Sequence, residues 1–269
     1  MIDEILRYGP AFLLIAVRAL AMIETAPLLS SDAIPQTAKL ALAGFVAYAA
    51  FPSALVRTWD LSPYGLSFFF LVIGEGIIGV ITGFFLTLVF SAFTTAGQFF
   101  SLQMGFGASE TFDPLSQVEN PLLGQYLNLV AMVVFLSIGG FQELFLGGFW
   151  RSVQSINIVN LVEGREAVLT MLLNGLSGLF LEAMTISMPI LGTLFLTSLS
   201  TGLISKAAPQ INILSEGFPV SITVAFILIF ATLPFMVDIF SRAVSAGFET
   251  IETLFIQLGG SISSTGEIQ

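Results

Sequence analysis

Three ionisable residues sit inside long apolar runs of this chain: Arg18, Glu75 and Glu182. At membrane depth such groups are costly, so each must face protein or water and have a partner. Two chemistries fit them. Carboxylates and a guanidinium in series could pass protons or ions. Alternatively, Arg18 and a carboxylate such as Glu75 could form a fixed pair that sets the register of two helices. The chain has no His and no Cys. Imidazole is the usual proton carrier near neutral pH, and one base with two acids makes a poor relay. The fixed pair is therefore the favoured reading. The same absences remove disulfides, thiolate metal sites and cysteine nucleophiles, and weigh against an enzyme.

The elements that carry these residues read as helices. Residues 121–141, PLLGQYLNLVAMVVFLSIGGF, contain no Asp, Glu, Lys or Arg. As a helix this run is long enough to cross a bilayer core of about 30 Å. Residues 217–237 form a second uncharged run, 167–198 is broken only by Glu182, and 64–98 only by Glu75. Shorter candidates lie at 40–56 and 10–23. The expectation is an all-α membrane protein with six apolar helical segments at 10–23, 40–56, 64–98, 121–142, 167–198 and 217–240. β-Barrel strands are only about 10 residues long and alternate in polarity. The runs at 64–98 and 167–198 exceed a straight span, so they should tilt, bend or fold into hairpins. Gly74, Gly76, Gly79 and Gly83 in the first, and Gly175, Gly178, Pro189 and Gly192 in the second, are candidate bend points.

Composition agrees with a membrane setting. Hydrophobic residues make up 55% of the chain and charged residues 10%, against about 25% charged in soluble domains. The 27 Phe, beside 2 Trp and 4 Tyr, suit lipid-facing or helix–helix surfaces. With 18 acids against 8 bases the net charge is −10, which excludes a nucleic-acid partner. Asp3 and Glu4 precede Arg7, unlike the basic start of a cleaved signal peptide, so an uncleaved span is expected to direct insertion. The segment 101–120 has no Lys or Arg but carries Glu110, Asp113 and Glu119. Placing it outside puts Arg7, Arg57, Arg151, Arg165 and Arg242 inside, and Lys39 and Lys206 outside, a weak agreement with the positive-inside rule. Residues 238–258 read as a separate amphipathic helix, with Ile239, Phe240, Val244, Phe248, Ile251, Leu254 and Phe255 at helical spacing. The polar tail 259–269 reads as disordered, which leaves one membrane domain over 1–258.

Small residues also recur, as Gly79 with Gly83 and as Gly139-Gly140 with Gly147-Gly148. Such spacing lets helices approach closely, between subunits or within one chain. Two connecting segments are unusually dense. In 105–121, GFGASETFDPLSQVENP, turn signals at Asp113-Pro114 and Asn120-Pro121 surround the apolar Phe106, Phe112 and Leu115. That segment is either a loop that packs into something, such as a pore lumen, or a floppy external loop. In 206–219, KAAPQINILSEGFP, Pro209 and the Gly217–Pro219 step read as helix breaks. It is either a shaped turn against a neighbour or a plain connector.

These two segments carry a family resemblance. Ala207-Ala208-Pro209-Gln210-Ile211-Asn212-Ile213 followed by Gly217-Phe218-Pro219 resembles the AAPQxN…GFP signature of the FliR family of flagellar export-gate proteins. Arg18, Ala26-Pro27-Leu28-Leu29, Ile34-Pro35, Lys39-Leu40-Ala41-Leu42 and Phe51-Pro52 agree with its N-terminal part. Gln103-Met104-Gly105-Phe106, leading to Phe112-Asp113-Pro114, is similar to the segment before its plug loop. The resemblance runs from about residue 5 to 255. One departure is Phe141-Gln142-Glu143 after Gly139-Gly140, where the family often has a His.

The resemblance implies a subunit of the type III export gate. It would combine a FliP-like N-terminal part with a FliQ-like C-terminal part and close a helical assembly of bent hairpins with FliP and FliQ subunits. FlhA and FlhB would be neighbours, and unfolded flagellar proteins the cargo. The assembly would sit in the bacterial cytoplasmic (inner) membrane at the flagellar basal body, without cofactor or metal. The plug would map onto Gly105, Phe106, Gly107, Phe112, Asp113, Pro114 and Leu115. Structural or subunit-interface positions would be Arg18, Pro27, Pro35, Glu75, Pro209, Gln210, Asn212, Gly217 and Pro219. A virulence injectisome homologue shares the APQ motif and is the alternative. A secondary transporter of a small solute and a purely structural scaffold are the remaining readings.

Overall fold

The computed structural model describes residues 2–54, 66–105, 122–156, 158–208 and 213–265. Among them there are eight helices and no strand. They are α1 (Ile2–Thr25), α2 (Gln36–Ala54), α3 (Leu66–Gln103), α4 (Leu122–Ser137), α5 (Gly140–Ser155), α6 (Ile158–Glu163), α7 (Arg165–Ala207) and α8 (Ile213–Thr265).

Length separates these helices into two kinds. Helices α3, α7 and α8 hold 38, 43 and 53 residues, or about 57, 65 and 80 Å at 1.5 Å per residue. Each is well beyond the 30 Å or so of one bilayer core. Four helical stretches are long and apolar enough to cross a membrane: Tyr8–Thr25, Phe68–Gln103, Arg165–Ala207 and Pro219–Gly259. A fifth is added if the broken pair Leu122–Ser137 and Gly140–Ser155 counts as one span. The expected six is thus four or five among the described residues. The missing one is α2, whose 19 residues include Lys39 and Pro52.

Two further expectations are corrected by α8. Gly217 and Pro219 do not break the chain; both lie inside this helix, which starts at Ile213. Pro219 cannot donate its helix hydrogen bond, a defect of about 3 kcal/mol in a helix interior, yet the helix runs on through it. Residues 238–258 are likewise not a separate helix but the continuation of the same one, which runs on through Thr265. Gly74, Gly76, Gly79 and Gly83 all lie within the continuous helix α3.

The chain forms two compact units interleaved in sequence. The first comprises Met1–Leu88, Gly139–Gly175 and Val244–Gln269; the second comprises Val89–Ile138 and Leu176–Ala243. Helices α3, α7 and α8 each contribute to both. The apolar core of the first unit gathers Ile78, Phe85, Ile156, Val168, Met171, Ile251, Leu254, Phe255 and Leu258. In the second unit Phe240 of α8 stands edge-on to Phe90 and Phe93 of α3, with centroids 5.1 and 4.8 Å apart. Phe135 of α4 meets Phe90 at 5.5 Å. These are the preferred geometries for aromatic pairs. In the same unit a Cβ on Gly97 would lie 2.6 Å from the Gly124 Cα, so the backbones of α3 and α4 touch there.

Candidate functional site: a buried arginine node

Helix α1 carries Arg18 on the face that also buries Leu14, Ile15 and Met22, so its guanidinium enters an apolar interior. Its side chain is 2% exposed and that of Glu75 is 1% exposed. An uncompensated charge there would be very costly. Each guanidinium nitrogen has a partner. Nε donates to Glu75 Oε2 at 2.6 Å, and Nη2 lies 2.6 Å from the same oxygen. Nη1 donates to Ser152 Oγ at 3.2 Å, and Nη2 donates to the Ile156 carbonyl at 3.1 Å. Ser152 Oγ in turn donates to the Phe149 carbonyl at 2.7 Å. One guanidinium thus joins α1, α3 and the end of α5. The rigid fork of donors on Arg, which Lys lacks, can serve these three acceptors at once. The other Glu75 oxygen, Oε1, is buried without a hydrogen-bond partner among the described residues.

Around the node the backbone is shaped to fit. A Cβ on Gly79 would lie 2.3 Å from the Arg18 carbonyl oxygen, and one on Gly83 would lie 2.1 Å from Thr25 Oγ1. The Gly79–Gly83 spacing therefore serves packing within the chain, of α3 against α1. Thr87 Oγ1 adds a hydrogen bond to the Thr25 carbonyl at 2.6 Å. Helix α5 follows Gly139, whose φ of 75° suits glycine, and winds as a π-helix over Glu143–Trp150 before Arg151–Ser155 closes it. The Arg18 contacts to Ser152 and Ile156 lie just beyond that wide turn.

A second polar clasp holds the α1–α2 connection. Lys39 of α2 is buried, and its Nζ donates to Glu24 Oε2 and to the Ser30 carbonyl, both at 3.1 Å. Leu28 in this turn has a φ of 68°, uncommon for a residue with a side chain. Pro27 follows α1 within the same turn, and Pro35 directly precedes α2. The Pro35 carbonyl accepts from the amides of Ala38 and Lys39, which starts the helix.

The sequence-derived residues thus divide. Arg18 and Glu75 are brought together, while Glu182, half-buried on α7, makes no ion pair among the described residues. Gly105 ends α3 with a φ of 89° and donates its amide to the Leu102 carbonyl. Phe106, Gly107, Phe112, Asp113, Pro114 and Leu115 lie outside the described residues, as do Pro209, Gln210 and Asn212. Ser152, the Ile156 carbonyl and the Lys39 clasp were not evident from sequence. A buried arginine demands more acceptors than one glutamate offers, but nothing in spacing singles out one serine or one carbonyl.

Chemically, the node presents a neutralised pair enclosed by protein, suited to fixing helices rather than to turnover. Comparison with known proteins places this architecture. Residues 10–247 match the bacterial export proteins, family 1. The chain is similar to the flagellar biosynthetic protein FliR of Bacillus subtilis (strain 168), at 27% identity over 96% of this chain and 99% of that protein. The FliR of Escherichia coli (strain K12) is 28% identical over 90% of this chain and 91% of its own. That of Borreliella burgdorferi is 31% identical over 72% of each. The chain belongs to the bacterial export proteins, family 1, with flagellar FliR proteins among its relatives.

Proposed function

We propose that this chain is a multi-pass membrane subunit of the flagellar type III protein export apparatus. The observation that carries the reading is its end-to-end match to proteins named for flagellar biosynthesis within a family of export proteins. The apolar helices supply the membrane-crossing lengths that such a subunit needs. In the finer form of the proposal, the chain sits in the bacterial inner membrane. There it joins FliP and FliQ subunits, beside FlhA and FlhB, in a passage for unfolded flagellar proteins. Such a passage requires no catalytic group. It requires a closed wall of packed helices and a seal that contacts the lumen weakly enough to be displaced. The segment 105–121 is the proposed seal.

Complementation tests the coarse reading. In a strain lacking its own FliR, expression of this chain with its natural partner subunits should restore flagellin secretion. Absence of secretion despite normal membrane levels would count against it. Shortening 105–121 tests the finer form: ion permeability of membranes holding the assembled complex should rise, and unchanged permeability argues against a seal.

A further inference from the structure

Helix α7 carries one ionisable side chain that takes no part in the node. Glu182 is the sole Asp, Glu, Lys or Arg between residues 167 and 205. It lies within the membrane-crossing stretch Arg165–Ala207 and is half-buried in the second unit. The exposed side chains around it are Leu176, Phe180, Leu181, Met184 and Met188. A surface of that kind lies against lipid or protein rather than water, and a carboxylate within it needs a partner.

The same side of α7 carries hydroxyls. At about 100° per residue, Thr185, Thr193, Thr197 and Ser200 fall within about 60° of Glu182 around the helix. Each has already given its proton to the carbonyl four residues earlier: Thr185 to Leu181, Thr193 to Pro189, Thr197 to Thr193 and Ser200 to Leu196, at 2.8, 2.9, 2.9 and 2.8 Å. What they have left to offer is oxygen lone pairs. Glu182 forms no ion pair and no hydrogen bond among the described residues. From Glu182 to Ser200, about 27 Å along the axis, this side therefore offers acceptors and no side-chain donor. Gly178, one turn before Glu182, has open space where a Cβ would stand, which gives a neighbouring helix room to approach.

Among the described residues, the chain's own bases do not meet this demand. Arg18, Lys39, Arg151 and Arg242 hold Glu75, Glu24, Glu252 and Asp238. Arg165 and Lys206 stand on α7 itself, about 26 and 36 Å along the axis from Glu182. A second copy would bring the same engaged bases. Lipid tails donate nothing, so against them the carboxylate would stay uncompensated.

We propose that this side of α7 docks an apolar helix of a different subunit, one that carries a Lys or Arg opposite Glu182. Charge complementarity selects that occupant: the surface is a carboxylate and a row of acceptors set in apolar side chains. The inference rests on the membrane reading of α7 and names the chemistry of one neighbour. The secretion test of the export reading is independent of it.

The test reconstitutes the full chain in phosphatidylcholine vesicles, fluorescently labelled at a cysteine appended after Gln269, since the chain has no Cys of its own. The probes are three labelled Leu/Ala transmembrane peptides, alike except for a central Lys, Glu or Leu. Energy transfer at equal peptide density should show the Lys peptide associating roughly threefold to tenfold more than the Leu peptide, and the Glu peptide no more than the Leu one. Glu182→Leu should abolish the Lys preference. Glu182→Lys should transfer the preference to the Glu peptide, which a general change in packing would not do. Glu166→Gln, at the start of α7, should leave the preference unchanged. Equal association of the Lys and Leu peptides with the native chain, or a Lys preference that survives Glu182→Leu, would overturn the proposal. Glu182→Leu removes a carboxylate from apolar surroundings, so its melting temperature should not fall, and it decides the question if Glu182→Lys does not fold.

Discussion

The two units of this molecule solve the same problem by different means. In the first, helices are fixed by directional polar bonds buried among apolar side chains: Arg18 to Glu75, Ser152 and Ile156, and Lys39 to Glu24 and Ser30. In the second, the fixing is by shape, with Phe90, Phe93, Phe135 and Phe240 interlocked and α3 touching α4 at Gly97 and Gly124. Directional bonds specify one arrangement sharply and penalise any other, because a misplaced buried charge is left unpaired. Aromatic packing depends on filled volume and ring geometry instead of on paired charge.

Substitutions can break this comparison, and the largest effect is expected at Arg18. Arg18→Met leaves Glu75 buried without its only charged partner among the described residues and should cost about 3–5 kcal/mol, read as a large fall in melting temperature in detergent. Adding Glu75→Met should recover much of that loss, because an apolar pair of similar volume removes the stranded charge. If the double variant is as damaged as the single one, the node's worth is not electrostatic. Next comes Phe240→Ala, which opens a hole between Phe90 and Phe93. A loss of about 3 kcal/mol is expected, and Phe240→Leu should recover most of it if shape alone matters. The smallest effect belongs to Arg242. It pairs with Asp238 on one face of α8, but both side chains are more than 60% exposed. Arg242→Ala should change stability by less than about 1 kcal/mol.

The parts of this architecture legible in the sequence follow from cost. Uncharged runs announced the helices because a buried charge is expensive, and the two charges inside the runs at 10–23 and 64–98 pointed to each other for the same reason. Boundaries were harder. Gly217 and Pro219 read locally as a break, yet α8 runs through both. The charges from Asp238 onward suggested a new element, although a helix can carry charge wherever its surroundings are polar. Helix α2 read as a span because 40–56 carries no charge, and nothing in the sequence showed that Lys39, just before that run, turns inward to clasp Glu24. The π-helix over Glu143–Trp150 left no sequence signal beyond its paired glycines.

The central claim is that this chain works as one subunit of a hetero-oligomeric export assembly, and mass determination tests it most directly. The chain, tagged after Gln269 and expressed with the other export genes of its source, should be purified in mild detergent and weighed intact. The account predicts a stable complex with one copy of this chain and several copies each of a FliP-type and a FliQ-type subunit. A lone monomer or a homodimer would contradict it.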